Sequence, residues 1–237
     1  PVLAHFNSES GEFFVAEEGE SLFSIPIGIT KPSDADVTLT INVLVDESTA
    51  VEGEDYNKKS KQITVKAGEV LTDLNVIGNF EGLDEQKIAV LEIESSDKTA
   101  QFNQIYTLKI QRFCPFVRDE FVGTYLFDSE WWLEGADPYL VDAIADPDDE
   151  NAILFIDLYD LDYSIKVIFD DSDPSNFSVT VPKQGAWFSS SYGEISLGGG
   201  VGSFSACDKT VYFETKHFLA DGRSFSGIDQ ATLTKVD

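Results

Sequence analysis

The chain has 237 residues, 42% of them apolar and 12% aromatic, and its 43 acidic residues against 16 basic ones give a formal charge of −27. That composition argues against disorder and supplies enough core for two domains of ordinary size. The acids run along the whole length, net −11 up to Phe113 and −16 beyond it, and such a field repels phosphate backbones and bare anionic membranes, so nucleic-acid binding is not expected.

No methionine occurs, not even at position 1. We therefore expect a processed N-terminus from which any targeting segment has been removed. No apolar run approaches the ~18–20 residues of a membrane-spanning helix. A lipid attached ahead of Pro1 would leave no trace in this sequence.

Helical periodicity is nearly absent and period-two alternation dominates. Strands are predicted around Phe13–Val15 and over Leu22–Ile29. Val37, Leu39, Ile41, Val43 and Val45 then line one face of a strand, with Thr38, Thr40 and Asn42 opposite. Ile63 and Val65, Leu74 and Val76, Ala89 to Ile93, and Tyr106 to Ile110 repeat the pattern, about seven strands in all, as in a β-sandwich. Lys31-Pro32-Ser33-Asp34, Gly53 to Tyr56 and Ala67-Gly68-Glu69 carry turn chemistry between them.

Glu17-Glu18, Ser48-Thr49-Ala50, Gly53, Asp55-Tyr56 and Gly68-Glu69 follow one another in an informative order. Together they resemble the Calx-β repeat, an antiparallel β-sandwich module of extracellular and cell-surface proteins, over most of residues 10–112. Some such modules bind calcium at one end, and Glu18 and Asp55 stand where two ligands would be. Calcium needs about 6–8 oxygens. The segment that is normally a run of aspartates reads Gly78-Asn79-Phe80-Glu81-Gly82 here, so no metal site is expected. Asp55 is expected to cap its own turn, with Tyr56 packed under the sheet.

Arg112-Phe113-Cys114-Pro115-Phe116 breaks the rhythm, which sets domains of 1–113 and 114–237. Strands are predicted beyond it at 121–128, 139–145, 152–159, 163–170, 176–182, 192–198, 201–207, 209–219 and 228–236. About eight or nine short strands joined by tight turns form a meander, which closes into an up-and-down barrel or a curved sheet. Phe121-Val122-Gly123-Thr124-Tyr125 is similar to the first strand of lipocalin-type barrels. The acidic loops Asp146 to Asn151 and Asp170 to Pro174 lack the order of an EF-hand loop and suit solvated turns. Leu197-Gly-Gly-Gly-Val-Gly202 lacks the Lys-Ser/Thr of a phosphate loop and is expected to be a flexible hairpin connection.

Cys114 and Cys207 are the only cysteines. In an exported protein they would pair, closing a loop of roughly 90 residues worth about 4–5 kcal/mol on the chain-entropy model. The other reading is two buried thiols. Catalysis is poorly provided for. The histidines are His5 and His217, and no Gly-x-Ser-x-Gly elbow occurs. No enzyme and no cofactor are expected, although a glycosidase needs only two facing carboxylates.

Aromatic residues are the remaining signal. Trp131-Trp132 follows the first strand of the second domain beside Glu130 and Glu134, and Trp187-Phe188 lies among Gly185, Ser189, Ser190, Ser191 and Tyr192. These read as loop contexts. Trp131, Trp132, Trp187 and Tyr192 are the candidate ligand or partner contacts, set against a reading in which each pair puts one ring in the core and one on the rim.

Cys114-Pro115, Phe121 to Tyr125 and the Gly-Ser-x-Ser-x-Cys segment Gly202 to Cys207 resemble the second domain of two-domain surface lipoproteins of Gram-negative gut-type bacteria, several of them similar to accessory lipoproteins of starch-utilisation-type TonB-dependent uptake systems. The resemblance implies a lipid-anchored protein facing outward from the outer membrane. Its implied partners are a TonB-dependent transporter and its lid lipoprotein, with a glycan or peptide ligand. It implies no catalytic residue. The expected function is non-enzymatic nutrient capture. A lipid or other apolar ligand inside the barrel, and a carboxylate-based glycosidase, are the alternatives.

Overall fold

The computed structural model describes residues 1–94 and 99–236. The chain divides into two compact units, Pro1–Cys114 and Pro115–Asp237. Both are all-β.

The first unit is a sandwich of two sheets. Its strands are β1 (Ala4–Phe6), β2 (Ser10–Ala16), β3 (Leu22–Ile29), β4 (Val37–Val43), β5 (Tyr56–Lys58), β6 (Gln62–Val65), β7 (Leu71–Gly78), β8 (Lys87–Ile93) and β9 (Ile105–Phe113). One sheet has the order β1-β3-β7-β5 and the other β2-β9-β8-β4-β6. Phe6, Ile25, Ile27, Leu74 and Val76 of the first sheet are buried, as are Val15, Leu39, Ile41, Leu91, Leu108 and Ile110 of the second. Fully burying each such side chain stabilises the fold by about 1.5–3 kcal/mol. β2 and β9 pair in parallel, Ser10 opposite Thr107 through Ala16 opposite Phe113.

Three details differ from the sequence reading. β1 and β5 are strands of three residues, too short to show a period. β5 starts at Tyr56, inside the segment read as a bend. Val45 leaves the apolar face of β4, enters a one-turn 3-10 helix and is 75% exposed.

The second unit is a closed barrel. Its strands are β10 (Gly123–Ser129), β11 (Tyr139–Ala145), β12 (Ala152–Ile156), β13 (Ile165–Asp170), β14 (Ser178–Val181), β15 (Gln184–Ser189), β16 (Gly193–Ser205), β17 (Thr210–Phe218) and β18 (Asp229–Lys235), with one helical turn, α1 (Glu130–Leu133). Each pairs antiparallel with the next along the chain except β14 with β15, and β18 returns to β10. β14 pairs with β13 on one side and β16 on the other, which closes eight strands and leaves β15 outside as a hairpin partner of the start of β16. An eight-stranded barrel is just wide enough for side chains to fill. Here Tyr125 meets Phe155 edge-on at 5.3 Å, Phe127 meets Tyr159 at 5.5 Å, and Phe121, Phe169 and Phe204 pack at one end with centroids 4.9–5.7 Å apart.

The glycine run corrects a further expectation. Gly198, Gly199 and Gly200 are not a hairpin connection; they lie inside β16, at the register shift where it passes from β15 to β14. A Cβ on Gly198 would stand 2.3 Å from the Lys183 Cα, and one on Gly202 would stand 1.9 Å from the Tyr212 carbonyl oxygen. The glycines let the strand bend and let its neighbours approach, which is how a barrel turns a corner.

Candidate functional site

The meander places the end of β10, the β12–β13 segment, β15 and the β17–β18 segment at one end of the barrel. That end carries a polar network roofed by aromatic rings. Its centre is Asp229, the first residue of β18, with 1% of its surface exposed. The Ser129 hydroxyl donates to Asp229 Oδ1, and the Tyr159 hydroxyl donates to Oδ2 over 2.7 Å. His217 Nε2 lies 3.1 Å from the same Oδ2. A buried carboxylate persists only when its lone pairs are satisfied, and here three donors do so. Burial, reinforced by the Asp229 charge, holds the Tyr159 phenol well above its ordinary range. Burial likewise pushes Tyr139 up to about 12.

The network reaches the candidate contact residues directly. Ser129 is also the N-cap of α1, its Oγ accepting from Trp132 N–H over 3.0 Å, so the pair read as loop residues sits on a capped helical turn. Trp131 stacks on the His217 ring at 4.5 Å and 17°, and its indole N–H donates to the Ser226 carbonyl. Trp132 packs edge-on against Tyr159 at 5.2 Å and tilted against Trp187 at 5.4 Å. Trp187, on β15 rather than in a loop, donates its indole N–H to His217 Nδ1 over 2.9 Å. Tyr192, 57% exposed at the β15–β16 turn, meets Phe225 edge-on at 6.0 Å.

All four sequence-level candidates therefore stand at one end of the barrel, although 61 residues separate Trp131 from Tyr192. Phe225, 5.6 Å from Trp187 and 6.0 Å from Trp131, joins them. Nothing singles out Phe225, His217 or Asp229 in the sequence. The one available signal is that the barrel strand with Thr215 and His217 presents polar residues in phase with its buried Val211 and Phe213.

Serine, histidine and aspartate meet here in an order that does not activate the serine. The aspartate accepts from both, and the free nitrogen of His217 is capped by Trp187, so no base faces Ser129. The cluster holds rings in place.

The other sites read from the sequence are occupied by protein groups. Asp55 is 3% exposed and accepts the Val51 N–H over 2.7 Å, while Tyr56 is fully buried beneath it. In the Asp146–Asn151 loop the Lys166 ammonium lies 2.9 Å from both Asp146 Oδ2 and Asp149 Oδ2. Asp170 and Asp173 accept from the Ser172 and Ser175 N–H groups, as turn residues do. Among the described residues no group of three His, Cys, Asp or Glu is arranged to hold a metal. Cys114 and Cys207 are both disulfide-bonded.

No protein-family model matches the chain, and no curated protein does. Several solved structures are similar to it. A Bacteroides ovatus protein of unknown function shares 12% identity at a TM-score of 0.42, covering 98% of this chain and 89% of its own. A Bacteroides ovatus protein with a suggested carbohydrate-binding role shares 10% at 0.43, covering 96% and 74%. CBD12 of CALX1.2 shares 10% at 0.39, covering 76% and 79%. These are likenesses of strand arrangement and carry no activity across to this chain.

Proposed function

We propose that the protein is a non-enzymatic binding protein that captures glycan or peptide ligands on the aromatic end of its barrel. The observation that carries this reading is the convergence of Trp131, Trp132, Trp187, Phe225 and Tyr192 on one end, held by a buried network. Rings held rigidly at a surface bind sugar faces and apolar peptide side chains at little entropic cost. The inward face of the barrel is filled by Tyr125, Phe127, Phe155 and Phe213, all fully buried, which takes away the cavity that a lipid carrier needs.

The cellular setting is part of the same proposal: a lipid-anchored protein on the outer-membrane surface, working beside a TonB-dependent transporter and its lid lipoprotein. The acidity of both units and the resemblance carried by Cys114-Pro115, Phe121 to Tyr125 and Gly202 to Cys207 support it.

Titration calorimetry with neutral oligosaccharides and with peptides tests the binding reading. Tyr192→Ala removes an exposed ring and should weaken binding by about 1–2 kcal/mol with the melting temperature unchanged. Joint Trp131→Ala and Trp132→Ala replacement should weaken it by at least as much. Unchanged affinity in both variants rejects the platform, and turnover of a glycan in the panel would put the carboxylate glycosidase in its place. A transporter pair recovered with the protein from detergent-solubilised outer membrane supports the uptake role; recovery of the protein alone counts against it.

A further inference from the structure

All three tryptophans of the chain surround one buried histidine. The ring centroids of Trp131, Trp132 and Trp187 lie 4.5, 6.3 and 6.2 Å from that of His217, which is 1% exposed. The hydrogen bonds fix the state of this imidazole. Nδ1 accepts the Trp187 indole N–H, so it carries no proton, and Nε2 carries the proton that it donates to Asp229. An indole N–H can only donate.

We propose that the aromatic platform is gated by protonation of His217: the neutral imidazole holds Trp187 in the platform, and the imidazolium releases it. Resting on the platform reading above, this adds the regulation of that site. A second proton on His217 must go to Nδ1, where it faces the Trp187 N–H across 2.9 Å with no acceptor between them. Two donors at that distance must separate. The Asp229 side of the ring is unaffected, since Nε2–H donates to the carboxylate in either state and the carboxylate welcomes the added charge. The Trp187 side therefore yields. Trp187 stands on β15, outside the eight closed strands and paired only with β16, so it can move without opening the barrel.

The ionisable groups in contact with His217 are Asp229 from β18 and Tyr159 from the β12–β13 segment. α1, β15 and β16 present Trp131, Trp132, Trp187 and, opposite in register, Leu197, none of which titrates. Tyr159 stays protonated throughout the acid and neutral range because burial raises it.

The experiment follows the intact protein by NMR and tryptophan fluorescence between about pH 7.5 and about pH 5. The ring-carbon shifts of His217 report its protonation, and the Trp187 indole N–H resonance reports the hydrogen bond. The proposal requires both to change together, with loss of indole protection and a matching fluorescence transition. His5→Gln should leave the transition in place. His217→Asn, which keeps an acceptor near Trp187 and cannot titrate, should abolish it. An indole that stays protected while His217 protonates overturns the gate, and so does a His217 that remains neutral across the range. Both outcomes are read on the wild type, so they stand even if the variant does not fold. Binding of maltoheptaose, measured at both ends of the range, separates the two readings. Weakening of about tenfold or more on acidification, the size of one lost contact residue, agrees with the gate. No maltoheptaose binding at about pH 7.5 counts against the platform as a glucan site and leaves the gate to be decided by the indole signal.

Discussion

Lys166 shows how a side chain can occupy a site that looks made for a metal. Its ammonium bridges Asp146 and Asp149, while Arg118 Nη1 approaches the carbonyl oxygens of the same two residues at 3.4 and 3.5 Å. The hydrogen bond to Lys166, then backbone N–H groups, hold both carboxyls below their ordinary range. Each titrates lower in the folded chain than in the unfolded one, so the unfolded chain binds more protons in acid. Their stabilisation is whole above the ordinary aspartate value near pH 4 and disappears as pH falls through the lowered values. Lys166 itself is raised by the same pair, and its contribution is lost only in alkali. Lys166→Met should therefore lower the denaturation midpoint at neutral pH, with the difference from wild type shrinking in acid; urea melts at neutral pH and at about pH 3 check this. At this scale the sequence is legible in kind. Asp, Pro and Asn clusters read as turns and are turns. That a lysine 17 residues beyond Asp149 fills the loop is not legible, because β12 and β13 must pair first.

β16 is the element on which the barrel depends. Thirteen residues long, it pairs with β17 along one edge and with β15 and then β14 along the other, and Gly198, Gly200 and Gly202 sit where backbones crowd. Gly202→Ala would drive a methyl into the Tyr212 carbonyl and should cost about 2–3 kcal/mol in chemical denaturation. Gly199 has φ of +69°, and a methyl there would have nothing within 4 Å, so Gly199→Ala should cost only about 1 kcal/mol. Equal losses in the two variants would show that crowding is not what the glycine at 202 relieves. Strands with clean alternation, such as β4, β9 and β13, are readable because one face of each meets a core. β15 is not: its burial alternates poorly, and it lies outside the closed sheet. α1 escapes a reading by period because four residues are too few to display one.

At the scale of the molecule the charge of −27 dominates. Like charges spread over each compact unit repel, and salt screens that repulsion. Raising sodium chloride from about 0.02 M to about 0.5 M should raise the melting temperature; a fall would mean that ion pairs such as Lys166 with Asp146 outweigh the general repulsion. The same field should keep the unanchored protein off anionic vesicles at low salt, which a sedimentation assay checks.

The sequence by itself determined the all-β class, the sandwich and meander characters of the two halves, and the aromatic residues to watch. Each of these rests on local chemistry: a period of two, turn residues between strands, and large rings flanked by polar groups. Tertiary structure alone decided that Trp131, Trp132, Trp187 and Tyr192 share one end of a closed barrel, and that Asp229 and His217 lie beneath them. Those facts depend on the pairing of β14 with β16 and of β10 with β18. Strand pairings of that separation are set by how the whole barrel closes, and no residue pattern within a single strand encodes them.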